Sequence, residues 1–161
     1  MTEKILVALK KNDSAEEVLP YVQQLARSGM KVVFLIPDQA DGFEYLLRHK
    51  GTMETGLHTA LAAKENAKRY VAQTRRDSVR QKIFLTCEEL RMQSVDITAE
   101  FYSGSLASAL KNYSFGEDVH LTMIPARGHA FMDVLHLLFR IFKRPALSSV
   151  VLVRPALGRP Q

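Results

Sequence analysis

Apolar residues in this chain fall into short, wholly hydrophobic runs separated by stretches of helical periodicity. Ile5 to Leu9 is such a run, bounded by lysines, and predicts a parallel strand covered on both faces. Ser14-Ala15-Glu16-Glu17 follows after a polar turn. It is a capping-box pattern, in which Ser14 and Glu17 are expected to satisfy each other's free backbone amides. Val18, Leu19, Val22, Leu25 and Ala26 then repeat at helical spacing, with Gly29 as the expected stop. Pro20 conflicts with that helix: beyond the first turn it removes a hydrogen bond and should bend or delay it. Val32 to Ile36, closed by Pro37, predicts a second strand, which completes a βαβ unit.

Gln39 to Thr55 is polar and reads as a loop with a helical turn around Phe43 to Leu47. From Leu57 to Met92 the chain is rich in good helix formers and free of Pro and Gly, predicting a long helix broken once. Ile83, Phe84, Cys87 and Leu90 form its buried stripe. Val95, Ile97, Ala99 and Phe101 alternate with polar residues as a third strand, followed by Gly104-Ser105 and a helix through Leu106, Ala109, Leu110 and Tyr113. Val119 to Ile124 predicts a fourth strand, Ala130 to Arg144 a helix and Val150 to Val153 the last strand. The repeating βα order implies one α/β domain over residues 1 to 161. Its expected form is a three-layer α/β/α sandwich on a five-stranded, mostly parallel sheet.

Composition agrees with a single soluble globule. The chain has 161 residues, 47% apolar and 24% charged, and a chain this size buries roughly 70% of its unfolded surface. One cysteine, Cys87, cannot form an internal bridge. The amino terminus carries no secretory pattern and no apolar run reaches membrane-span length. A cytoplasmic location is therefore expected.

The formal charge of +5 suggests an acidic partner, but it is unevenly placed. Residues 1 to 139 hold 17 basic and 17 acidic side chains, and the excess lies wholly in Arg140, Lys143, Arg144, Arg154 and Arg159. On the long helix Lys64, Lys68, Arg69, Arg75, Arg76, Arg80 and Lys82 are interleaved with Glu65, Asp77, Glu88 and Glu89. They read as a solvated face, not a specific nucleic-acid stripe.

Several segments together resemble the universal stress protein family. Lys4 to Leu9 looks like that family's opening strand, and Tyr102-Ser103-Gly104-Ser105-Leu106 is similar to its strand-Gly-helix step. His120 to Gly128, HLTMIPARG, is similar to its fourth strand and glycine loop, usually close to DLIVMGSRG. Ser149 to Pro155 looks like its final PVLVVRP strand. The resemblance implies the sandwich fold, a stress-related regulatory role and dimers through the last strand.

Many members of that family bind ATP, which implies an Asp closing the first strand and a Gly-x2-Gly-x9-Gly-Ser/Thr phosphate nest. Here Lys10 stands in the Asp position and Pro125, which has no amide to donate, in that of the first Gly. No Gly, Ser, Thr or Asn occurs from His129 to Leu147, so no shift of register restores the loop. Asp13 lies past the strand end and reads as a turn residue. These departures argue against ATP as a cofactor.

No other chemistry is spelled out. The histidines 49, 58, 120, 129 and 136 show no metal-ligand spacing, and no nucleophile elbow or paired catalytic carboxylates occur. Neither a catalytic residue nor a metal site is therefore assigned, and Cys87 reads as a core thiol. In Phe131 to Arg144 a narrow polar stripe of Asp133, His136, Arg140 and Lys143 is surrounded by more apolar surface than one sheet face needs.

Two functions fit. The first is a non-enzymatic, universal stress protein-like dimer that works through partners. Phe131, Leu135, Phe139, Phe142, Val151 and Val153 would be its contact residues, and an acidic protein or a membrane surface a further partner. The second is a sensor binding a nucleotide or other small anion in the crevice at the carboxyl ends of the strands, through Lys10, Arg127 and Gly128.

Overall fold

The computed structural model describes residues 3–38, 57–116, 119–126 and 149–153. Its strands are β1 (Lys4–Ala8), β2 (Lys31–Pro37), β3 (Asp96–Tyr102), β4 (Val119–Pro125) and β5 (Ser149–Val153). The helices are α1 (Ala15–Leu25), α2 (Leu57–Thr86), α3 (Glu88–Met92) and α4 (Leu106–Gly116). The loop expected at Gln39 to Thr55 and the helix expected at Ala130 to Arg144 lie outside the described residues.

The strands form one sheet in the order β3-β2-β1-β4-β5, and every pairing is parallel. The expected five-stranded, mostly parallel sheet is thus observed, and among the described residues all of its pairings are parallel. Alternate residues of the central strands enter two cores. Ile5, Val7, Leu9, Val32 and Phe34 join Val18 and Val22 of α1, Ile83 of α2 and Leu90 of α3. Leu6, Ala8, Val33 and Leu35 join Leu110 of α4 on the opposite face. Continuous apolar runs in β1 and β2 therefore mean what they should: both faces of these strands are covered. β3 is an edge strand, with Ile97 and Ala99 buried and Asp96 and Glu100 exposed, which explains its alternating sequence.

Three local details differ from expectation. The Ser14 hydroxyl accepts from the backbone N–H of Glu16, at 3.3 Å, while the Glu17 N–H donates to the Ser14 carbonyl at 3.2 Å. α1 runs through Pro20 and ends at Leu25, before Gly29, which takes a positive φ of 85° in the turn to β2. In β4, Val119 pairs with Lys4 but Leu121 with Ile5, so His120 is the extra residue of a bulge and its side chain is exposed. The step from β3 to α4 turns at Gly104, whose φ of 81° strains any residue with a side chain.

Candidate functional site

At the carboxyl ends of β1, β2 and β3, on the face covered by α1 and α2, lies a cavity of about 270 Å³. Leu9, Ile36, Pro37 and Phe101 line it from the strand ends, and Val79 and Ile83 from α2. Charged residues line most of the rest: Lys10, Lys11 and Asp13 in the turn after β1, Asp38 after β2, Glu16 at the start of α1, and Arg75, Arg76 and Lys82 on α2.

Local chemistry fixes much of this lining. The turn is closed on itself: the Lys10 N–H donates to the Asp13 carboxylate at 2.9 Å, and the Asp13 N–H to the Lys10 carbonyl at 3.1 Å. Asp13 is thus a turn residue, as its position implied, and Lys10 is held at the strand end. Arg76 donates to the Asp38 carboxylate, which ties α2 to the end of β2 and holds the guanidinium's pKa above its ordinary value. The Arg76 and Arg80 guanidiniums lie over the Phe101 ring, 5.8 and 5.3 Å from its centre. Lys82 faces Glu16 at 3.5 Å in a well-exposed pair, a geometry worth little by itself.

A second tether closes the strand ends from the α4 side. The Tyr102 hydroxyl donates to the Leu9 carbonyl at 2.8 Å, spanning from β3 to the end of β1. Burial, with a smaller contribution from the Asp13 charge, pushes the phenol up to about 12. Tyr102 therefore stays a neutral donor at physiological pH. The end of β4 is occupied differently: Pro125 has no N–H, and the Ala126 N–H donates to the Val153 carbonyl at 2.9 Å.

Of the residues expected to bind a ligand, Lys10 lines the cavity, whereas Arg127 and Gly128 lie outside the described residues. The cavity lies toward β2 and β3, and no described residue of β4 lines it. Arg75, Arg76 and Lys82, on the face expected to be solvated, also line it, and the Lys82 side chain stays 70% exposed. Their signal is the recurrence of 75/76, 79, 82/83 and 86 on one side of the helix, whose cavity-facing role depends on a sheet edge that the helix's own sequence does not reveal.

Among the candidate partner residues, Phe131, Leu135, Phe139 and Phe142 lie outside the described residues. Val151 is 36% exposed on the edge strand β5, and the Val153 side chain is 2% exposed and belongs to the same core cluster as Val18 and Val22 of α1. Cys87 is fully buried and burial pushes its thiol up to about 11, so it carries negligible thiolate at neutral pH. Among the described residues no cluster of three or more His, Cys, Asp or Glu side chains is placed to hold a metal ion, and no helix is long and apolar enough to cross a membrane.

A parallel sheet in this order, with helices on both faces and a charged cavity at the carboxyl ends of its strands, belongs to the doubly wound α/β proteins, which bind ligands at that end. More narrowly, the fold is that of the universal stress protein structures. The chain aligns over 98% of its length with a universal stress protein family protein from Arabidopsis thaliana solved with AMP bound, at a TM-score of 0.55 and 10% identity, covering 95% of that chain. It aligns equally widely with the hypothetical protein MJ0577, whose biochemical function was assigned from its structure, at a TM-score of 0.56 and 14% identity, covering 99% of that chain. No family model and no curated protein matches the chain by sequence. The likeness is therefore one of fold.

Proposed function

We propose that this is a universal stress protein-like regulatory protein without catalytic machinery, which senses a small anion in the cavity at the ends of β1, β2 and β3. The observation that carries this reading is the convergence of Lys10, Lys11, Arg75, Arg76 and Lys82 on one cavity at the ligand-binding end of a doubly wound sheet. Three acids, Asp13, Glu16 and Asp38, share it, so the lining keeps an excess of positive charge.

The Arabidopsis structure holds AMP, but this chain is not expected to take ATP in the family's usual mode. Lysine replaces the acid that would hold ribose or metal, and the amides at the end of β4 are missing at Pro125 and engaged at Ala126. Calorimetric titration tests this directly. Millimolar to micromolar binding of a phosphate-bearing probe with no low-micromolar affinity for Mg-ATP is expected, and nucleotide co-purifying with the protein contradicts it.

One observation favours a second, compatible reading, in which the protein acts as a homodimer through β5. That strand ends the sheet and carries the half-exposed Val151 on its edge. Light scattering at micromolar concentration is expected to return a dimer, and a monomer removes this reading.

A further inference from the structure

The cavity is more specific than a basic patch, because its charged residues stand beside an apolar wall. Leu9, Ile36, Val79, Ile83 and Phe101 belong to four elements or their ends and meet there. Leu9 and Ile83 are nearly sealed from solvent, and the Phe101 ring is held under the guanidiniums of Arg76 and Arg80. A hydrated inorganic anion gains nothing from such a wall, whereas an organic one loses apolar surface from water on entering.

Charge and size narrow the ligand further. Five cationic and three anionic side chains line the cavity, leaving two positive charges. A phosphate monoester carries about −1.5 to −2 at neutral pH, which matches that balance, while a triphosphate overshoots it. The volume of about 270 Å³ lies just below the roughly 300 Å³ at which pockets begin to hold drug-sized molecules. Among the described residues the Lys10 ammonium is not engaged with any carboxylate, and it stands at the end of the strand that supplies Leu9.

We infer that the ligand is a compact phosphate monoester with an apolar body. The phosphate is met by Lys10 with the cations of α2, and the body lies against Val79, Ile36 and Phe101. This rests on the anion-binding reading above and adds to it a discrimination between organic and inorganic phosphate.

Phenyl phosphate and inorganic phosphate, titrated separately into the full chain, test it. Phenyl phosphate is expected to bind at least about tenfold more tightly. Val79→Gln should remove most of that margin while leaving inorganic phosphate unchanged, and Val79→Leu, which keeps the wall apolar, should preserve it and report that the site still folds. Lys10→Gln should weaken both probes by a similar factor. Equal affinity for the two probes, or an unchanged margin in Val79→Gln, overturns the inference but leaves the anion site standing. Failure of the unmodified protein to bind either probe overturns both.

Discussion

Replacement of Phe34 by alanine lowers the unfolding free energy by about 4 kcal/mol, since truncating a buried aromatic costs about 3–5 kcal/mol from lost transfer energy and the cavity left behind. Phe34 is fully buried in β2, one strand from the middle of the sheet, and pairs in register with Val7 and Ala99. Its ring belongs to the core shared by α1, α2 and α3. Both neighbouring strands are held by backbone pairing, so the layer has little freedom to collapse onto the void. A domain of this kind is stable by about 5–15 kcal/mol, so the loss is a large fraction of the whole. Urea denaturation monitored by circular dichroism measures it. A loss below about 1.5 kcal/mol means that the core does not close around this ring.

Lys10→Asp is expected to weaken anion binding by about 100-fold, or about 2.8 kcal/mol at 1.4 kcal/mol per factor of ten. The substitution removes one cation from the cavity and adds an acid beside Asp13 and Asp38. At the effective dielectric near a protein surface a unit charge a few ångströms away is worth several kcal/mol before screening, so 100-fold is the attenuated figure. The same change puts back the acid implied for the family's ATP site, which makes it informative in a second way. Mg-ATP binding should not appear, because Pro125 still lacks an amide and Ala126 remains bonded to Val153. Calorimetry on the variant reads both quantities. Unchanged affinity for phenyl phosphate places the anion elsewhere, and a gain of ATP binding means that the acid alone was missing.

The fold was legible where burial is two-sided. Ile5 to Leu9 and Val32 to Ile36 are apolar throughout because helices cover both faces, and the alternation from Val95 to Phe101 correctly marks a strand with one exposed face at the sheet edge. The break in the long helix falls at Cys87, between α2 and α3. Pro20 was harder to weigh: the burial of Val18 and Val22 on either side of it holds α1 together despite the lost hydrogen bond. Of the cavity's lining, Lys10 alone was legible as a candidate contact. Interleaved charges on Arg75, Arg76, Arg80 and Lys82 look solvated along the helix, and nothing local reveals that Asp38 and Phe101, one from each of two other strand ends, meet Arg76 and Arg80 in space. Such cross-element pairs are a property of topology, set by the order β3-β2-β1.

The central claim is that the ligand sits at the ends of β1, β2 and β3 and not at the end of β4. Methyl-labelled NMR during a phenyl phosphate titration tests it most directly. Saturable shifts are expected at Leu9, Ile36, Val79 and Ile83, with Ile124 and Met123 little changed. Shifts centred on Ile124 and Met123, or produced by Mg-ATP at low-micromolar concentration, would contradict it.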